Sequence, residues 1–164
     1  MKCNKEDLFL SLLRLSLGWI FLWSFLDKLF GLGFNTALGK SWLAGGSPTF
    51  GFLKFAVKGP FAHFYQNLAG NVLVDWLFML GLLFVGITLI LGIMTRIGGC
   101  AGALMLLLMY TAGFIFPEQN PFMDEHIVYL IIMLFLATTG GGQRFTLSGW
   151  WSKKGIAQKY KFLA

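Results

Sequence analysis

Residues 76–95 and 97–116 form two uncharged runs of about 20 residues each, separated only by Arg96. At a rise of about 1.5 Å per residue, a helix of that length crosses a hydrocarbon core of about 30 Å. Composition agrees: 57% of the 164 residues are hydrophobic, 12% are charged, and the mean hydropathy is +0.71. A soluble domain carries roughly 25% charged residues. This chain has too little polar surface to cover itself in water, so lipid must solvate much of it.

Two further runs complete the reading. Residues 8–30 are too long and too apolar for a signal peptide; no small-x-small cleavage site follows, and Asp27-Lys28 interrupts the end. Residues 126–142 make a shorter run that ends in Gly140-Gly141-Gly142. The expectation is an all-α, integral membrane four-helix bundle, one domain over residues 1–164, with spans at about 8–30, 75–95, 97–116 and 126–142. Gly98 and Gly102 form a G-x-x-x-G pattern, as expected where helices approach closely. Phe and Trp, 18 and 6 in number, suit lipid-facing and interfacial positions.

Lysine and arginine set the expected orientation. With four spans, Lys2, Lys5, Arg14, Arg96 and the tail residues Arg144, Lys153, Lys154, Lys159 and Lys161 share one side, against Lys28, Lys40, Lys54 and Lys58 on the other. The excess places both termini in the cytoplasm of a multi-pass plasma-membrane protein, with residues 143–164 as a basic cytoplasmic tail. The net charge of +6 therefore speaks for topology and anionic lipid rather than nucleic acid.

The first outer loop, residues 31–71, is too long and apolar to be a plain connector. Pro48 and Pro60 stand where short helices begin, and Phe61, Phe64, Tyr65 and Leu68 follow i, i+3, i+4, i+7 spacing. Two short helices, interfacial or re-entrant, are expected to form a lid over the outer end. A connecting loop without function explains the same residues.

Several chemistries find no support. Cys3 and Cys100 are far apart and form no C-x-x-C pair, which argues against thiol–disulfide exchange, c-type haem and thiolate clusters. Cys100 reads as an inert packing residue. No histidine or cysteine stands at metal-ligand spacing, so no metal is expected. Neither a dinucleotide fingerprint nor a phosphate-binding loop occurs, and no tightly bound cofactor is expected.

Charges in or beside membrane helices are costly and ask for a reason. Arg14 lies inside the first run, where it snorkels, forms a structural pair or serves a site. Asp27 and Lys28 end that run; Asp75 opens the second; Asp124, Glu125 and His126 open the fourth; His63 lies in the lid. All would converge at the outer end. Basic residues there could hold an anion, and a histidine beside carboxylates can move protons near neutral pH. Trp23 and Trp76 would lie in the same layer and could stack on a flat ring. A structural explanation covers much of this too: acidic residues are favoured at helix N-termini, and aromatic belts are normal at interfaces.

The runs Gly18-Trp19-Ile20-Phe21-Leu22-Trp23 and Leu26-Asp27-Lys28-Leu29-Phe30-Gly31 resemble the first helix of the DoxX/DoxD membrane proteins. Leu13-Arg14 adds to this. So do Asp75-Trp76, Met79-Leu80-Gly81-Leu82 leading to Thr95-Arg96, Gly59-Pro60-Phe61 and Gly149-Trp150-Trp151. The most specific stretch is Asn120-Pro121-Phe122-Met123-Asp124-Glu125-His126-Ile127-Val128-Tyr129. The resemblance spans nearly the whole chain. It implies a relation to the large membrane subunit of thiosulfate:quinone oxidoreductase, which joins two thiosulfates into tetrathionate and reduces a membrane quinone. On that implication, Asp27, Lys28, Asp124 and His126 form the outer catalytic site. Lys28, Arg14, Arg96 and His63 are candidates for the anion, and Trp23, Trp76 and His126 for the quinone. The quinone would be a diffusible acceptor. Expected partners are membrane lipid, a separate small subunit or a soluble oxidoreductase, and a second copy of the chain. Two other readings stay open: a non-catalytic anchor or assembly partner for an oxidoreductase, and a small-molecule transporter.

Overall fold

In the computed structural model, residues 5–113, 122–142 and 144–154 are described. They are helical, with no strand among them: α1 (Lys5–Phe30), α2 (Ala62–Gln66), α3 (Val72–Leu91), α4 (Thr95–Gly113), α5 (Glu125–Thr139) and α6 (Ser148–Trp151). Three of these, α1, α3 and α4, are long and apolar enough to cross a membrane. With 15 residues, α5 reaches only about 22 Å. Its expected extension to residue 142 fails for a local reason. Gly140, Gly141 and Gly142 all take positive φ (76°, 70° and 76°), which turns the backbone out of the helix.

The other ends also have local causes. The Asn71 side chain accepts from Leu73 N at 2.9 Å and starts α3 earlier than the charge pattern suggested, while Gly92 at φ 65° ends it. Helix α4 starts at Thr95 and is described to Gly113, and the rest of its expected span, 114–116, lies outside the described residues. The carboxylate of Asp124 accepts from Ile127 N at 3.2 Å and caps α5. Pro117 and Glu118 of the third connection, and Lys159 and Lys161 of the tail, fall outside the described residues.

One apolar core joins the four longer helices. Leu17 and Phe21 of α1 meet Met79, Leu82, Val85 and Leu89 of α3, Ala103 and Leu106 of α4, and Met133 and Leu136 of α5. Large apolar side chains cover the outside as well: Trp19, Leu77, Leu80, Leu104, Leu108 and Ile131 are all exposed. Helices apolar on both faces suit a lipid surround, where an outward leucine costs nothing. Cys100 belongs to this outer face, not to the packed interior expected for it. Its reactivity carries no part of the fold.

In lipid there is little hydrophobic force between helices, so close packing carries the association. Glycine provides the room. A Cβ on Gly86 would lie 2.9 Å from the backbone N of Leu22, so α3 presses on the backbone of α1. A Cβ on Gly99 would lie 2.8 Å from the carbonyl oxygen of Met133, so α4 presses on α5. Gly98 faces Thr88, and Gly102 faces Met133 and Val85. The G-x-x-x-G pattern is thus used inside the chain. Gly99→Leu is expected to cost about 2 kcal/mol, because the obstruction is backbone and cannot rotate away. Cys100→Leu, one residue on but outward-facing, is expected to be neutral. Detergent-solubilised unfolding midpoints test the contrast; equal midpoints for the two variants would refute the packing argument.

The 31–71 segment packs as a lid on the C-termini of α1 and α4 and the N-terminus of α3, at the end where α5 begins. It contains a 3₁₀ turn (Trp42–Ala44), a π-helical turn (Phe52–Ala56) and α2. Leu53 and Val57 pack with Ala112 of α4, along with Tyr65, Leu68 and Val74. Lys58 N donates to Ala112 O at 3.2 Å, and the hydroxyls of Tyr65 and Thr111 lie 2.6 Å apart. The helical spacing after Pro60 is split by this docking: Tyr65 and Leu68 face inward, whereas Phe61 and Phe64 are exposed.

Candidate functional site

The polar residues expected to converge lie on the helix termini at the lid end, each with its own partners. Asp27 is 1% exposed, and its two carboxylate oxygens accept from Phe34 N at 3.2 Å and Asn35 N at 3.0 Å. A carboxylate in the last turn of a helix is unfavourable to the dipole. Here two backbone N–H donors of the following turn compensate it. Asp27 therefore fixes where the chain leaves α1 and enters the lid.

Asp75 holds the other side of the lid. Its Oδ1 accepts from Ser47 Oγ at 2.9 Å, Thr49 Oγ1 at 2.5 Å and Thr49 N at 3.2 Å. The pairing spans 26 to 28 residues of sequence. No local signal marks it, and Ser47-Pro48-Thr49 reads as an ordinary turn. Asp75→Ala leaves three donors without their acceptor, which is expected to loosen the lid by about 1–3 kcal/mol. Hydrogen exchange should then accelerate across residues 41–57 while the cores of α3 and α4 stay protected. Unchanged exchange in the lid would show that Asp75 does not hold it.

Asp124 and His126, two positions apart in sequence, are joined directly in the structure. His126 Nδ1 lies 2.7 Å from Asp124 Oδ2, and His126 is 8% exposed. The other oxygen of the same carboxylate caps α5 through Ile127 N. One rigid carboxylate thus both starts the helix and orients the imidazole. In the tautomer that donates from Nδ1, the lone pair lies on Nε2.

The cationic and aromatic candidates have partners of their own. Lys28 is half-buried, with Nζ 6.0 Å from the centre of the Phe78 ring. Trp23 packs against Trp19 at 5.6 Å and meets the lid ring of Phe34 edge-on at 5.2 Å. Trp76 meets the lid ring of Trp42 edge-on at 4.6 Å. Trp42 did not stand out in the sequence; it is drawn in by the turn that Ser41 caps. His63 is exposed on α2, beside Asn67 at 3.4 Å.

The other two candidates lie at the opposite end. Arg14 precedes Asp27 by 13 residues of continuous helix, about 20 Å along the axis. One small anion cannot touch both Arg14 and Lys28. The Arg14 side chain is fully buried and all its donors are engaged by backbone carbonyls. Nη1 donates to Leu89 O and, at 3.1 Å, to Ile90 O. Nη2 donates to Arg144 O and Phe145 O, both at 2.9 Å, and Nε to Gly141 O at 3.0 Å. A guanidinium has five N–H groups, and five are used. Arg14 does not snorkel; it sits at the negative ends of α3 and α5 and binds both. A Cβ on Gly141 would lie 2.7 Å from Arg14 Cδ, which gives the glycine run its purpose. Arg96 is exposed at the start of α4, on this same end.

Among the described residues there is no group of three or more His, Cys, Asp or Glu side chains that could hold a metal ion. Comparison with protein-family models, with curated proteins and with solved structures gives no match for this chain.

Proposed function

We propose that the chain is the membrane subunit of a quinone-linked oxidoreductase of the thiosulfate:quinone type. In this reading α1, α3, α4 and α5 cross the plasma membrane as a bundle, both termini are cytoplasmic, and the lid covers the outer face. The observation that carries the proposal is the buried, carboxylate-oriented imidazole of His126 at the lid end. The DoxX/DoxD-like stretch around it supplies the substrate class.

The chemistry balances without a bound cofactor. Two thiosulfate dianions lose one electron each and form the central S–S bond of tetrathionate. A membrane quinone takes up those two electrons and two protons to become the quinol. Lys28 supplies a cation for the dianion. His126, starting with a proton on each ring nitrogen, passes the Nε2 proton to a quinone oxygen, is left in the Nδ1–H tautomer that Asp124 holds, and takes a new Nε2 proton from water, twice per turnover. The faces of Trp23 and Trp76 offer apolar surface for a flat ring. Asp27 and Asp75 position the lid. A separate small subunit is the expected partner.

The test uses the purified full chain in detergent with thiosulfate and a short-chain quinone, following quinone reduction optically. Thiosulfate-dependent reduction that falls in Lys28→Ala supports the proposal and locates the anion. If no reduction occurs, quinone binding decides. Binding by the inert chain indicates a required partner subunit; no binding removes the catalytic reading and leaves that of a membrane anchor.

A further inference from the structure

The tail end of the molecule carries a polar cavity of about 140 Å³, away from the lid. Thr95 and Arg96 of α4, Thr139 and Gly140 at the end of α5, and Ser148 and Trp151 of α6 line it. None of these residues serves the mechanism proposed above.

Its electrostatics are set by how the surrounding carbonyls are used. Helices α3 and α5 end here, and their exposed carbonyls would repel an anion. They are instead occupied. Leu91 O accepts from Leu147 N at 2.8 Å, Gly92 O from Thr146 Oγ1 at 2.7 Å, and Gly140 O from Thr95 Oγ1 at 3.2 Å. Arg14 takes the carbonyls of Leu89, Ile90 and Gly141 and leaves a buried positive charge behind the wall. With these carbonyls engaged, Arg96 is the charged side chain in the cavity lining.

The chain on either side of Ser148 and Trp151 is apolar and basic at once. Phe145, Leu147 and Trp150 are 66%, 48% and 56% exposed. Lys154 Nζ lies 4.5 Å over the Trp150 ring, and Lys153 precedes it. Tryptophan beside lysine is the composition of a membrane–water boundary facing anionic headgroups.

We propose that this cavity binds a phosphate group, held by Arg96 at the positive N-terminal end of α4, with an anionic phospholipid headgroup as its source. The exposed Phe145, Leu147 and Trp150 of the adjoining chain would take the upper part of the acyl chains, which a free phosphate ion would not need. Occupancy would tie α4, α5 and α6 together.

Full-length protein in neutral detergent is titrated with dihexanoyl phosphatidylglycerol, with dihexanoyl phosphatidylcholine and with inorganic phosphate, by calorimetry. Phosphatidylglycerol is expected to bind, and Arg96→Gln to weaken it at least about tenfold, the loss of one charge-assisted contact. Arg96→Lys should recover part of the loss. The zwitterionic lipid should bind less tightly than phosphatidylglycerol. Inorganic phosphate binding as tightly, with the same Arg96 dependence, would keep the phosphate site but reassign its source to solution. Equal phosphatidylglycerol binding by wild type and Arg96→Gln would overturn the proposal. So would a loss in Lys154→Gln as large as in Arg96→Gln, since the attraction would then belong to the tail's general charge. Unliganded unfolding midpoints check that the exposed Arg96 variants remain folded.

Discussion

Replacing Arg14 with methionine is expected to destabilise the protein by about 3–5 kcal/mol, the range seen when one partner of a buried charged contact is removed. Methionine fills much of the same volume, so the loss reports donors rather than a cavity. Five carbonyls, those of Leu89, Ile90, Gly141, Arg144 and Phe145, would lose their partner together. Three of these belong to the chain just beyond α5, which has only a short helical turn to follow it. Phe145 moreover adopts φ 51°, a left-handed conformation that a side chain resists. Without Arg14 that segment should detach first, and proteolysis near residues 144–154 should precede loss of the apolar core. Arg14→Lys keeps the charge but offers three donors from one point in place of five from a fork, so it should fall between the two. An unfolding midpoint for Arg14→Met equal to wild type would show that the buried guanidinium does not staple the helix ends.

Replacing His126 with alanine is expected to reduce quinone reduction by about 10²–10⁴-fold, the usual contribution of a positioned acid–base group. Folding should survive, because the cap of α5 is made by Asp124 Oδ1 and not by the imidazole. Asp124→Asn separates the two tasks further. Asparagine caps a helix about as well as aspartate. With its amide oxygen on Ile127 N, its NH₂ would face Nδ1 and favour the other tautomer, putting the proton on Nε2. Stability should therefore hold while turnover drops by less than in His126→Ala. Full turnover in His126→Ala would remove the imidazole from the mechanism. A fall in stability that matches the fall in rate would reduce the pair to a helix cap.

Both expectations grow from residues visible in the sequence, yet they were legible to different degrees. Asp124 and His126 are two positions apart at a helix start, so local geometry alone brings them within reach. The lid was legible in outline, because Pro48, Pro60 and the apolar spacing after Pro60 mark short helices. Its inner and outer faces were not. Phe61 and Tyr65 share a helical face in sequence, and docking against Ala112 buries one and leaves the other outside. Arg14 was open between snorkelling, pairing and a site, since its partners lie 75 to 131 residues away.

The sequence by itself determined the helical class, the three long apolar helices and the gathering of charge at helix ends. Those properties follow from length, hydropathy and backbone chemistry, which act within a few residues. Only the tertiary structure decided what the charges do. It assigned Asp27 and Asp75 to the lid, Arg14 to the ends of α3 and α5, and Arg96 to a cavity at the opposite end of the helices from Lys28. A buried charge takes whichever donors or acceptors the packed backbone brings to it, and that meeting is set by helix contact rather than by spacing along the chain.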